Sequence, residues 1–199
     1  GRSGRGRADS LREIRFQSAN RGLNAAIRSI ARHAGLPHHR PMSQSLQLRL
    51  ALPTDSAALV AILHDTFDST WRPQITPAAV AAYRQGSRPA AYVAVRGHIF
   101  QVATRAGAVV GFVDWQDDFV HALHVHSAHA RSGVGTALMD RAEGEIACEG
   151  FPAARLETDT FNTRSQAFYA ARGYVETGRY PDKEWNSGLT TLLLEKRLG

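Results

Sequence analysis

One cysteine in 199 residues, Cys148, has no partner for an internal disulfide, and no thiolate pair exists for a zinc site. No apolar run approaches the ~18 residues of a membrane-spanning helix, and no apolar core of a secretory signal is present. Disulfide scaffolds, helical membrane proteins and cysteine-based zinc modules are thereby excluded. Acidic residues are scarce in only one part of the chain. Residues 1–41 hold nine Arg against Asp9 and Glu13, a net of +7, while the other 158 residues carry 15 basic and 16 acidic side chains, a net of −1. The overall charge of +6 therefore belongs to the first segment. No nucleic-acid or membrane partner is expected for the rest.

Residues 1–41 form a basic stretch with Leu11, Ile14, Leu23, Ile27 and Ile30 spaced for one helix face. Three readings stay open for it: a segment upstream of a start at Met42, an Arg-rich targeting leader, or a basic arm. In each case the expectation is a disordered leader followed by one domain over 42–199, in a cytoplasmic protein.

Neither an internal repeat nor a low-complexity tract follows Met42. Strands are predicted at 47–52, 98–104, 109–115, 119–126, 155–160, 174–178 and 189–194 from alternation and β-branched content. Helices are predicted from Thr54 or Asp55 to Phe67, from Thr76-Pro77 to Gly86, over 133–149 and over 163–172. Residues 105–108 make a Gly-containing hairpin turn. The order β-α-α-β-β-β-α-β-α-β-β predicts an α/β (α+β) mixed sheet flanked by helices.

The chemistry concentrates in two segments. In the first, a strand runs into HSAHARSGVGTALMD and then an amphipathic helix. Gly133 and Gly135 lack Cβ atoms, so the backbone there can approach an anion, and the helix N-terminus adds unpaired N–H donors. The segment has neither the Lys-Ser/Thr of a P-loop nor the spacing of a dinucleotide fingerprint. In the second, Asn162 opens a helix as a potential N-cap, and Phe168 and Tyr169 lie on that helix before Gly173.

Together the two segments resemble the GNAT superfamily of acetyl-CoA-dependent N-acetyltransferases. Ala130-Arg131-Ser132-Gly133-Val134-Gly135 is similar to the family's Q/R-x-x-G-x-G/A signature, with Ala130 departing at the first position. Asn162-Thr-Arg-Ser165-Gln-Ala-Phe168-Tyr169-Ala-Ala-Arg-Gly173-Tyr174 matches the second signature, N-x-x-[AS]-x-x-[FL]-Y-x-x-x-G-[FY], throughout. The resemblance covers about residues 47–198 and implies a mostly antiparallel sheet with one splayed parallel strand pair. It implies backbone groups on Leu123, His124 and Val125 for pantetheine. It further implies a diphosphate cradle over Arg131, Ser132, Gly133, Val134, Gly135 and Thr136, contact of Asn162 with the cofactor arm, and Tyr169 near the thiol. The partners implied are acetyl-CoA and an amine acceptor, with a homodimer left open; the alternative is a CoA-binding module without turnover.

An alkyl ammonium with pKa near 10.4 must lose a proton before it attacks, so a general base is sought. Glu157 matches the base position of the family's ribosomal-protein alanine acetyltransferases, and His121 matches a catalytic His of its serotonin acetyltransferases. Water relayed from another group is the third option. His124 and His126 alternate onto one strand face away from His121, without a third metal ligand nearby, so no metal is expected. For the acceptor, the segments 67–71, 115–118 and 180–185 are candidates. In them, Trp71, Trp115 and Trp185 would serve as apolar walls, and Asp117 or Asp118 as an attractor for a cation.

Overall fold

The computed structural model describes residues 45–181 and 189–199. The leader, its boundary at Met42 and Trp185 lie outside the described residues. Among the described residues there are seven strands: β1 (Gln47–Leu50), β2 (Gln101–Arg105), β3 (Ala108–Gln116), β4 (Phe119–Val125), β5 (Ala153–Asp159), β6 (Val175–Pro181) and β7 (Thr190–Arg197). The helices are α1 (Ser56–Thr66), α2 (Pro77–Gln85), α3 (Arg88–Arg96), α4 (Val134–Cys148) and α5 (Thr163–Ala171). The strands form one mixed sheet in the order β1-β2-β3-β4-β5-β7-β6. Every neighbouring pair is antiparallel except β4 and β5. This is the expected sheet, with one more helix than the sequence reading gave.

That helix is α3. Gly86, Ser87 and Pro89 read as a loop, yet Pro89 occupies the first turn of a helix, where its missing N–H has no consequence. Tertiary contacts hold this short helix to the sheet. Arg96 Nε and Nη2 donate to the two carboxylate oxygens of Asp114 at 2.7 and 2.8 Å, and the Tyr92 hydroxyl donates to Oδ2 at 2.6 Å. Asp114 is fully buried on β3. His98 and Ile99, expected to begin a strand, instead belong to a tight helical turn over Gly97–Ile99, before Gln101.

Two apolar layers cover the sheet. Leu59 and Ile62 of α1 and Val93 of α3 pack with Phe100, Val102 and Phe112 on one face. On the other, the fourfold spacing of Val134, Leu138, Ala142 and Ile146 places all four in the core beneath α4. Gly111 of β3 permits this close approach. A Cβ there would stand 2.8 Å from the His124 carbonyl and 3.0 Å from Val134 Cγ1, so only glycine lets the first turn of α4 settle onto the sheet.

Asp114→Ala leaves the Arg96 guanidinium without its buried partner. A loss of about 3–5 kcal/mol is expected, read as a lower urea midpoint; an unchanged midpoint would show that α3 is held by its apolar contacts alone.

Candidate active site

The site begins where β4 and β5 part. The two strands pair only at Phe119↔Arg155 and Val120↔Leu156. Beyond these, β4 stays paired with β3 through Val125, and β5 stays paired with β7 through Asp159. A wedge therefore opens between the upper halves of the strands. The His126 N–H donates to the Val110 carbonyl at 3.0 Å. By the alternation of an antiparallel ladder, His124 exchanges its bonds with Phe112, while Leu123 and Val125 turn their N–H and C=O groups into the wedge. Of the three backbone positions named from the sequence, two are open to a ligand and His124 is committed to the sheet.

The β3–β4 register skips His121, since Ala122 faces Asp114 and Val120 faces Trp115. His121 is thus the extra residue of a β-bulge, and its ring lies 5.1 Å from that of Phe119. His121 and Glu157 are the first residues of their strands past the last β4–β5 pair. The two base candidates therefore flank the point of divergence. Glu157 accepts a hydrogen bond from the Tyr180 hydroxyl of β6.

At the mouth of the wedge, the chain turns through Arg131 at φ 58° and Gly133 at φ 83°. Left-handed residues at these positions gather successive N–H groups into an anion-binding concavity. Among the described residues no side chain caps the N-terminus of α4, so its first N–H donors remain for a ligand. A Cβ on Gly133 would meet nothing within 4 Å; the glycine is required by backbone conformation rather than by space. Arg131, Ser132, Gly133 and Thr136 are exposed, Gly135 is half-buried, and Val134 is buried in the core. The backbone of this segment suits a diphosphate, whereas the Val134 side chain serves packing.

Asn162 caps α5, its Oδ1 accepting from the Ser165 N–H at 3.1 Å. That leaves its Nδ2 as a donor. Tyr169, in the last turn of α5, is buried between Phe168 and Tyr174, at ring distances of 5.2 and 5.5 Å. Burial holds its phenol well above the ordinary range, so it stays protonated. The helix carrying it is anchored by charge. Arg172 donates to Glu143 at 3.0 Å and to Asp140 at 2.7 Å, and Glu143 also receives Lys196 at 2.6 Å and the Tyr174 hydroxyl at 3.2 Å.

A second wall lies on the α1 side of the sheet. After Thr66, α1 widens into π-helix over Phe67–Trp71, a local expansion that redirects side chains. Trp71 Nε1 donates to Asp159 Oδ2 at 3.0 Å, and the Trp71 ring stands 6.2 Å from His124. Thr66 Oγ1 lies 3.1 Å from the Leu63 carbonyl and 2.9 Å from His124 Nδ1. The single hydroxyl proton goes to the carbonyl, so His124 donates from Nδ1 and carries its lone pair on Nε2. Burial lowers the His124 pKa to about 4, leaving a neutral imidazole and a weak base.

Sequence reasoning named Trp71 but missed Asp159 and Thr66. The Asp159 signal was present, because Glu157 and Asp159 are two apart on a strand and share one face. Other acceptor candidates fall elsewhere. Trp115 packs against the core beneath α4, Asp118 is held by Arg155 Nε and Nη2, each at 2.7 Å, and Asp117 sits in the β3–β4 turn at φ 54°. The bulge removes the simple alternation of His121 against His124 and His126. Among the described residues no group of three metal-ligating side chains gathers.

Similar proteins share this architecture. The family model described as Acetyltransferase (GNAT) family matches residues 58–174. The blasticidin-S acetyltransferase of Streptomyces morookaense is 34% identical over 93 residues, which are 47% of this chain and 66% of that protein, just under two thirds of its length. Among solved structures, the PaiA N-acetyltransferase of Thermoplasma acidophilum in complex with coenzyme A superposes with a TM-score of 0.65 at 14% identity. That likeness covers 77% of this chain and 99% of the other. YncA of Salmonella typhimurium with acetyl-CoA gives 0.57 at 19% identity, over 78% and 95%.

The His124 pKa fixes a pH dependence. An unfolded imidazole takes up its proton near 6.5, whereas the folded one resists until about 4. Between these values the unfolded chain binds more protons, so stability falls as pH drops from 6.5 towards 4. Urea unfolding of His124→Gln should show a shallower decline across that window, by on the order of 2 kcal/mol. Parallel curves for variant and wild type would remove His124 as the source.

Proposed function

The chain belongs to the Acetyltransferase (GNAT) family, and from that premise we propose that it transfers the acetyl group of acetyl-CoA to a primary amine of a small molecule or peptide. The observation that carries this reading is the β4–β5 wedge opening beneath an uncapped helix N-terminus. Backbone groups of Leu123 and Val125 receive the pantetheine amides as a short added strand. The N–H groups of residues 131–136 hold the diphosphate, and Asn162 Nδ2 donates to the cofactor arm. When bound, the donor supplies a thioester carbonyl as electrophile and a thiol as leaving group.

The chain's own residues then manage two protons. Glu157 takes the proton of the incoming ammonium; it shares a strand face with Asp159, the residue that holds Trp71. Tyr169 retains its proton and offers it to the departing sulfur. A thiol has a pKa near 8.5, below the ordinary tyrosine value near 10 that burial raises further here, so full transfer from Tyr169 is uphill and its contribution is a hydrogen bond to developing negative charge. His124 and Trp71 form the wall against which the acceptor body rests. The carboxylates at 157 and 159 favour a cationic amine, and the blasticidin-S acetyltransferase likeness supports a small-molecule acceptor.

Single-turnover acetyl transfer across a panel of amines tests this reading. Tyr169→Phe should keep CoA affinity and slow transfer by about 10²-fold, the lower end of general-acid loss. Glu157→Gln should slow it by about 10²–10³-fold and raise the dependence on pH, as unprotonated amine becomes limiting. Wild-type rates in Tyr169→Phe would leave Tyr169 a core aromatic, and wild-type rates in Glu157→Gln would pass the base to His121 or to water.

A further inference from the structure

The family-like signature over 130–135 begins here with Ala130, so the side chain that would start it with an amide or a guanidinium is missing. A guanidinium reaches the same loop from another part of the fold. Arg105, the last residue of β2, donates from Nη2 to the Ser132 carbonyl at 3.1 Å. Its place is fixed by a two-residue hairpin turn, Ala106 at φ 49° and Gly107 at φ 81°, both left-handed as a type I′ turn requires. Arg105 Nε is buried without a hydrogen-bond partner among the described residues, so this side chain is held in place despite an unmet donor.

We propose that Arg105 is a positioning residue for the diphosphate loop, acting through the Ser132 carbonyl. The inference rests on the reading of residues 131–136 as a diphosphate cradle. In a trans peptide the C=O and the following N–H point in opposite directions. Drawing the Ser132 oxygen towards Arg105 therefore turns the Gly133 N–H away from β2. A second tether works on the same residue, since Ser132 Oγ donates to the His129 carbonyl at 2.6 Å. With both ends of Ser132 fixed, the left-handed angles at Arg131 and Gly133 are maintained without a ligand. The loop then binds an anion without first having to be ordered. The guanidinium also places a positive charge behind the loop, which favours an anion in front of it. Because Arg105 acts at the loop, through its backbone and through charge, its removal should affect only ligands that reach the loop.

The test compares two ligands on Arg105→Met and Arg105→Lys: CoA, titrated by calorimetry, and pantetheine, which lacks the diphosphate, titrated by amide chemical shifts. Arg105→Met should weaken CoA about tenfold, the scale of one hydrogen bond to a charged donor, while pantetheine affinity and melting temperature stay near wild type. Arg105→Lys keeps the charge without the planar fork and should recover part of the loss. Equal weakening of CoA and pantetheine would overturn the proposal by making Arg105 a general structural residue, as would unchanged CoA affinity. Wild-type protein that binds CoA no more tightly than pantetheine would instead overturn the diphosphate reading itself, and Arg105's role with it.

Discussion

Everything in this fold that bears on chemistry depends on how little β4 and β5 share. Each strand is satisfied along its other edge, β4 by β3 and β5 by β7, and the two meet over only two residue pairs. The sheet is in effect two antiparallel sheets joined at one point. An unpaired backbone edge inside a protein is costly unless something bonds to it, so the wedge is a place where an extended ligand gains hydrogen bonds that the chain has left unmade. Because α4 connects the two strands, its N-terminus necessarily lies at the wedge's mouth. Gly111 sets the depth of that helix, and the left-handed backbone at Arg131 and Gly133 sets the direction of its leading donors.

Charge is used beside the wedge mostly as an anchor. Glu143, Arg172 and Lys196 join α4, the end of α5 and β7. Removing Glu143 would take from Lys196 and the Tyr174 hydroxyl the partner they share with Arg172, and such a network holds geometry more than it adds net stability. What it holds here is α5, and with it the Tyr169 phenol. Asp114 performs the same service for α3 on the opposite face. His124 differs: burial keeps it neutral, and Thr66 fixes its tautomer.

Much of this was legible in the sequence where local pattern and tertiary demand agree. The fourfold spacing of Val134, Leu138, Ala142 and Ile146 gave α4 and its buried face, and Thr76-Pro77 gave the start of α2, where Thr76 Oγ1 accepts from Ala79. The signature around Asn162 and Tyr169 marked the second half of the candidate site. Illegible features share a cause, namely a dependence on non-local partners. α3 hides behind Gly86 and Pro89 because its hold on the sheet comes from Asp114, eighteen residues past Arg96. The π-helical stretch at 67–71 and the bulge at His121 each change side-chain direction without leaving a periodicity signal. The difference between His124 and its neighbours, Leu123 and Val125, needed the strand register, which sequence alone does not supply.

Amide hydrogen exchange, resolved by residue and measured with and without saturating CoA, tests the strand-addition account most directly. The account predicts that the His124 N–H is protected in both states, because it bonds within the sheet. The Leu123 and Val125 N–H groups should exchange readily in the free protein and become protected when CoA is bound. Unchanged exchange at Leu123 and Val125 in the CoA-saturated protein would contradict it, and would place the ligand's amides somewhere other than the open edge of β4.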